Sequence, residues 1–288
     1  MSPGGLRAGT RVAELALPAG EPIPVLGQGT WGYAEDPSRR AREIATLRHG
    51  LDLGLTLVDT AELYADGQAE VLVGEAIAGR RDEVFLVTKV MPHNATRSGT
   101  VAACAASLRR LGTDRIDLYL LHWRGTVALG ETLEGFAALR EDGAIRHWGV
   151  SNFDLADLAE LTGLPGGGDV QTDQVLYNLT RRGIEWDLLP RCLDAGLPVM
   201  AYSPFERGRM LGHPVLGAIA ARHEATPAQV ALAWVLRRPG LSAIPRAGTP
   251  EHADENRAAL DLQLTADDLA VLDEAFPPPD GPRPLQVL

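Results

Sequence analysis

Lysine is all but missing from this sequence. Of 27 basic residues in a chain of 288, 26 are arginine, and the single lysine is Lys89 in "VFLVTKV". Cysteine is equally scarce. Cys104 and Cys192 stand far apart without metal-type spacing, which argues against a disulfide framework or a cysteine-built metal site and for buried thiols in a reducing compartment. No apolar run reaches the roughly 18 residues of a membrane span, and the opening "MSPGGLRAGT" lacks the apolar core of a secretory signal. An excess of positive charge is missing too. The formal net charge of −11 argues against nucleic-acid and anionic-membrane partners, both of which need a basic face. The expectation is a cytoplasmic protein whose partner is a small molecule.

What is present is a strict alternation. Eight short apolar runs, "IPVLGQGTW", "LTLVDT", "VFLVTKV", "RIDLYLLHW", "IRHWGVSN", "DVQTDQVLYN", "LPVMAYSP" and "LSAIPR", alternate with segments of helical period. In "SRRAREIATLRHGLDLG", for example, Ile44, Leu47 and Leu51 share one face. "TPAQVALAWVLRRPG" opens with a Thr cap and a Pro at the first helical position. Near-continuous apolar strands alternating with helices predict a parallel sheet covered on both faces. Eight such units predict a (β/α)8 TIM barrel. "RVAELALPAGEPIPVLG" predicts an N-terminal β-hairpin before it, and "TADDLAVLDEAFPPPDGPRPLQVL" an extra C-terminal helix and a Pro-rich tail. No linker or repeat divides the chain, so residues 1–288 are expected to form one domain. "GQGTWG" matches the dinucleotide G-x-G-x-x-G spelling, but the loop "YAEDP" follows where a helix should open, so it is read as a strand exit and not as a Rossmann turn.

In a TIM barrel, side chains at the C-terminal strand ends converge on one mouth. The polar residues that end these runs are Asp59, Lys89, His122, Ser151 with Asn152, Gln174, Tyr202 with Ser203, and Arg246. Parallel strands have no use for such groups unless they are paired at a site. Tyr64 follows Asp59 by five residues. A phenol with a reference pKa near ~10 is a poor acid, but an ammonium ~4 Å away would favour the phenolate by ~4 kcal/mol. Asp59 would repel a phenolate, so it is expected to face Lys89 and keep the amine charged, with Tyr64 as proton donor. His122 would orient a substrate oxygen or relay a proton. A metal-dependent barrel needs a cluster of His and carboxylates. Only Asp59 and His122 qualify, with Lys89 between them, so no metal is expected.

These residues carry a resemblance. "DTAELYADGQAE", "VTKV", "LLHW", "GVSNF", "QVLYN", "AYSP" and "IPRAGTPEHADEN", in that order, resemble the successive signatures of the aldo-keto reductase family, from about "GQGTWG" to "LDEAF". The resemblance implies an NADPH-dependent carbonyl reductase with Asp59, Tyr64, Lys89 and His122 in the catalytic tetrad positions. It further implies that Ser151, Asn152 and Gln174 hold the nicotinamide carboxamide and that Tyr202 stacks beneath the ring. Ser203 and Phe205 would line the pyrophosphate path, and Glu255 and Asn256 would meet the adenine. Around the 2′-phosphate the chain departs from the common pattern. Arg246, Ala247 and His252 stand where the family often has Lys, Ser and Arg, so the preference for NADPH over NADH is expected to be narrower than usual. Trp31 and Trp123 are expected to wall the substrate pocket, with Trp148, Trp186 and Trp234 in core or helix packing. The loop "FERGRMLGH" and the tail are candidates to cover the mouth. "EAFPPP" resembles bacterial members acting on small aldehydes such as methylglyoxal, and as in many members of the family a monomer is expected. The rival reading is a nicotinamide-binding redox sensor subunit without significant turnover.

Overall fold

The structure, a computed structural model, describes residues 12–288. The opening decapeptide read above for signal character, and Arg11 of the predicted hairpin, lie outside the described residues. The hairpin is present: β1 (Glu14–Ala16) and β2 (Pro22–Pro24) pair antiparallel, Leu15 opposite Ile23. Eight parallel strands follow, β3 (Gln28–Gly29), β4 (Leu57–Asp59), β5 (Phe85–Val90), β6 (Ile116–Leu121), β7 (Ile145–Ser151), β8 (Asp173–Leu176), β9 (Val199–Tyr202) and β10 (Leu241–Ala243), each beside its neighbour in the chain. A parallel bridge between Leu26 and Ala243 joins the two ends of the sheet. Across that seam Gly27 N donates to Ala243 O at 2.9 Å and Gly29 N to Pro245 O at 3.0 Å. The sheet closes into a barrel.

The seam explains "GQGTWG". A Cβ on Gly29 would sit 2.5 Å from the Ile244 carbonyl oxygen, and one on Gly27 would sit 2.7 Å from Leu57. Only Gly32, at φ +79°, makes the tight exit that the sequence suggested. Gly29 lets β3 approach the end of β10 across the seam, and Gly27 lets it approach Leu57 of β4.

Helices α1 (Arg40–Asp52), α2 (Gln68–Ile77), α3 (Arg97–Leu111), α4 (Leu129–Glu141), α5 (Leu155–Thr162) and α6 (Leu188–Asp194) each follow one barrel strand. Two helices follow β9. One is α7 (Pro214–Arg222), whose short amphipathic run had not been singled out, and the other is the predicted α8 (Pro227–Leu236), capped by Thr226. After β10 come α9 (Pro250–Ala258) and the extra α10 (Ala266–Ala275), then an irregular tail whose Leu285 packs against the outer core. Two apolar layers result. Inside the barrel lie Leu57, Phe85, Val87, Leu118, Leu120, Met200 and Ile244, sealed at the strand starts by Leu17 and Ile23 of the hairpin. A larger layer, with Trp148 and Trp234, lies between strands and helices. Trp186, expected in core or helix packing, is 49% exposed.

Candidate active site

Strand alternation aims the polar residues. On β4, Leu57 and Asp59 share the inward face; on β5, Phe85, Val87 and Lys89 do; on β6, Leu118 and Leu120 are continued by His122. The apolar members fill the barrel, and the last member of each series stands at the C-terminal mouth.

Lys89 is wholly buried there, and its three N–H bonds are all used. It donates to Asp59 Oδ1 at 2.6 Å, to the Thr60 carbonyl at 2.8 Å and to Tyr64 Oη at 3.2 Å. Gln174 Nε2 donates to the other oxygen of Asp59 at 2.8 Å and to Met200 Sδ at 3.0 Å. Burial pushes Asp59 up and Lys89 down from their ordinary pKa values, and each is pulled back by the other's charge. The Tyr64 phenol lies well above 10, because burial and then the Asp59 charge both oppose a phenolate. This corrects the expectation that Lys89 lowers the resting phenol. The amine arrives already paired with Asp59, and the dry surroundings outweigh it. His122 is pushed down to about 2, first by burial and then by Lys89. Its imidazole is therefore neutral at physiological pH, with one ring nitrogen as donor and the other as acceptor.

Tyr64 opens an unusual turn between β4 and α2. Ala65 (φ 48°), Asp66 (φ 52°) and Gly67 (φ 82°) are left-handed in succession. The two non-glycine residues cost roughly 1–2 kcal/mol each in that region, so the turn depends on what grips it. Aromatic rings wall the mouth. Trp31 stands edge-on to Tyr64 at 5.0 Å, Tyr64 to His122 at 5.9 Å, and His122 lies 4.8 Å from Trp123. Trp31 and Trp123 are 45% and 37% exposed.

A second cluster lies beside the first. Ser151 Oγ donates to the Gln174 carbonyl at 2.8 Å. Asn152, left-handed at φ 58°, donates through Nδ2 to Ser151 Oγ and the His122 carbonyl, both at 3.1 Å. Tyr202 Oη donates to Asn152 Oδ1 at 2.9 Å, while burial pushes the phenol up to about 12. Ser203, at φ 50°, accepts Asn178 Nδ2 on its carbonyl, and Phe205 is half-buried at the outer core. A third group surrounds Arg246. Its guanidinium stacks 5.3 Å from the Tyr33 ring, 3.8 Å from the buried Glu43 Oε1, and remains part-exposed. His252 Nδ1 accepts the Gly248 N–H, and Glu255 and Asn256 lie on the same helix, α9. The predicted residues thus fall into three neighbouring groups, two of them joined by the Ser151–Gln174 contact.

Comparison with known proteins gives the family. The family model for the aldo/keto reductase family matches residues 25–276. The chain belongs to that family. Among relatives, the methylglyoxal reductase YeaE of Escherichia coli (strain K12) is 51% identical over 271 residues, covering 92% of this chain and 95% of that one. An aldo/keto reductase from Klebsiella pneumoniae, solved in complex with NADP and acetate, superposes with a TM-score of 0.94 at 46% identity, over 96% of this chain and all of that one. A second Klebsiella pneumoniae aldo-keto reductase, in complex with NADPH, gives 0.93 at 45% identity, over 97% of this chain and 100% of that one. Membership makes this aldo/keto reductase an oxidoreductase.

Two contacts at this reductase's mouth were not expected from the sequence, although the residue or loop that makes each was named there. Gln174 serves Asp59 directly, which its inward register on β8 could have suggested. The guanidinium of Arg207 lies 5.6 Å over Trp31, placed by a loop with left-handed residues at Ser203, Glu206 and Arg207.

Proposed function

We propose that this reductase uses NADPH to reduce small aldehydes and ketones, methylglyoxal-like carbonyls among them, as one cytoplasmic unit. The observation that carries the reading is the buried lysine joining Asp59, the Thr60 carbonyl and Tyr64 at 2.6, 2.8 and 3.2 Å. Cys104 and Cys192 are both free and buried, as suits a reducing compartment. The chemistry of the relatives' names supports the substrate class, and the complexes of the two Klebsiella proteins support the cofactor.

The donor set fits that cofactor. Gln174 keeps Oε1 as an acceptor for a carboxamide while its Nε2 serves Asp59, and Ser151 and Asn152 flank it. Tyr202 presents a half-buried ring, Ser203 and Phe205 continue the path, and Glu255 with Asn256 stand at the far end. Arg246 would take the 2′-phosphate, since it has no carboxylate closer than Glu43 at 3.8 Å. That leaning carboxylate, with Ala247 and the exposed His252 beside it, supports a narrow margin over NADH. When bound, NADPH supplies the hydride for the carbonyl carbon.

The chain's own residues handle the proton. A phenol held well above 10 keeps its hydrogen at physiological pH and is charged as an acid in every resting molecule. As that hydrogen passes to the carbonyl oxygen, Lys89 already donates to the phenol oxygen and meets the charge that develops. A unit charge at 3.2 Å is worth about 5 kcal/mol at an effective dielectric near 20, part of it cancelled by Asp59. The stabilisation acts on the transition state and not on the resting phenol, as catalysis requires. Neutral His122 donates an N–H to the same carbonyl oxygen and orients it, while Trp31 and Trp123 exclude water from its sides.

The test is loss of NADPH absorbance with a panel of small aldehydes, wild type beside Tyr64→Phe. Turnover that collapses in the variant, with NADPH binding retained, supports the reductase and its acid together. Tight NADPH binding without turnover in either protein would overturn the reading in favour of a sensor.

A further inference from the structure

The strained turn behind Tyr64 is gripped from both sides by one side chain of a different element. Arg110, near the end of α3, lies directly against Gly67; a Cβ there would meet Arg110 Cδ and Nε at 2.7 Å. Its Nε donates to Glu70 Oε2 at 2.5 Å and its Nη2 to Ser107 Oγ at 3.1 Å. Nη2 also stands 4.0 Å from Glu62 Oε2. Glu70 is fully buried in the first turn of α2, and its other oxygen accepts Thr88 Oγ1 at 2.6 Å. Thr88 immediately precedes Lys89 on β5. Glu62, two residues before Tyr64, accepts Met91 N at 2.7 Å and Asn94 Nδ2 at 3.0 Å.

The arrangement brackets the acid. Glu62 ties the entering side of the turn to the segment after β5, and Arg110 with Glu70 ties the leaving side to β5 itself. None of these groups hydrogen-bonds to Tyr64 Oη or Lys89 Nζ, and Glu70 acts on Lys89 through its charge alone. Their common effect is to fix the turn relative to the strand that carries Lys89, and so to hold the 3.2 Å contact between amine and phenol. Left-handed residues in succession have no intrinsic preference for this shape, and Gly67 leaves the slot that the arginine fills.

We infer that Arg110 is a positioning residue for the general acid, holding the Ala65–Gly67 turn through Glu70 and Glu62 so that Tyr64 stays on Lys89. The inference rests on the reading of Tyr64 as acid. A displacement of about 1 Å at a reacting group can cost about a hundredfold in rate. The turn lies beside the chemistry and away from Arg246, so the loss belongs in kcat and not in cofactor affinity.

The experiment compares Arg110→Met, Arg110→Lys and wild type as full chains, with methylglyoxal as probe. NADPH affinity is read by fluorescence, and kcat and KM by absorbance. Arg110→Met is expected to lower kcat about 10- to 100-fold with the aldehyde KM and the NADPH Kd within about twofold of wild type. Arg110→Lys, which keeps a charge for Glu70, is expected to recover most of that loss. A kcat within twofold of wild type in Arg110→Met, an equal loss of cofactor affinity, or no recovery with lysine would each overturn the inference. Should Arg110→Met not fold, Glu62→Ala takes its place from the other side of the turn. The same loss in kcat alone is then the supporting result, and an unchanged kcat the contrary one. Wild type and Tyr64→Phe run beside them keep the two readings apart. If neither turns over, the acid assignment fails. If wild type turns over, Tyr64→Phe collapses and Arg110→Met does not, only the positioning role fails.

Discussion

Replacing Lys89 with methionine removes the ammonium, keeps a stem of similar length, and leaves Asp59 buried with a single side-chain donor, Gln174 Nε2 at 2.8 Å. Two routes bound the cost. Deleting one partner of a buried ion pair and leaving the other charged costs about 3–5 kcal/mol. Alternatively Asp59 takes up a proton. From an unfolded pKa near ~3.9 that costs about 1.4 kcal/mol per pH unit, hence about 5 kcal/mol at pH 7.5 and about 2 kcal/mol at pH 5.5.

The cheaper route prevails at each pH, so the variant is expected to lose about 3–5 kcal/mol at pH 7.5 and about 2 kcal/mol at pH 5.5. The sign follows from linkage. Burial raises the folded pKa of Asp59, and without Lys89 nothing of comparable strength opposes it. The folded variant then binds a proton that the unfolded chain does not. Its stability relative to wild type rises as pH falls from neutrality toward the unfolded carboxylate pKa, and is lost as pH rises. Equilibrium urea unfolding of wild type and Lys89→Met at the two pH values measures this, and an unchanged denaturant slope would show that the same structure unfolds. Asp59→Leu combined with Lys89→Met removes both charges and is expected to regain most of the loss. A cost below about 1 kcal/mol at pH 7.5 that does not change with pH, or a double variant no better than the single one, would refute a charged pair at the mouth.

Lys89→Arg keeps the charge but is expected to lose most turnover, because a planar fork cannot reach Asp59, the Thr60 carbonyl and the phenol from one atom; near-wild-type kcat would contradict the point-charge account. Arg246→Ala is expected to weaken NADPH binding about 10- to 30-fold, the low end for a charge-assisted contact at a part-exposed group, and to leave NADH binding unchanged. Fluorescence titration with both cofactors decides it, and equal losses would remove Arg246 from the phosphate. Gly29→Ala puts a Cβ 2.5 Å from a backbone oxygen at the barrel seam and is expected to destabilise by about 1–3 kcal/mol, whereas Gly212→Ala, with open space around it, is expected to leave the urea midpoint near wild type.

Strand periodicity is what made the fold and the cluster of Asp59, Lys89 and His122 at the strand ends legible. A two-residue alternation carries Leu57 to Asp59 and Val87 to Lys89 on one face, so an apolar run that ends in a charge announces both a barrel interior and its mouth. The helices yield less. Their period places Glu43 and Arg110 on a face of α1 and α3, but an acid in a first turn or an arginine in a last turn reads equally well as dipole complement. The strength of the tetrad's fields was hidden for the same reason: spacing predicted that Lys89 and Tyr64 would meet, not that burial would outweigh the ammonium and keep the phenol protonated. A face can be read from one segment, whereas the work a charge does depends on the element opposite. For Glu43 that element is the segment after β10, which brings Arg246, and for Arg110 it is the turn that carries Tyr64. The polar residues that end the strands were therefore the readable ones, and those packed against them became visible only when distant segments came together.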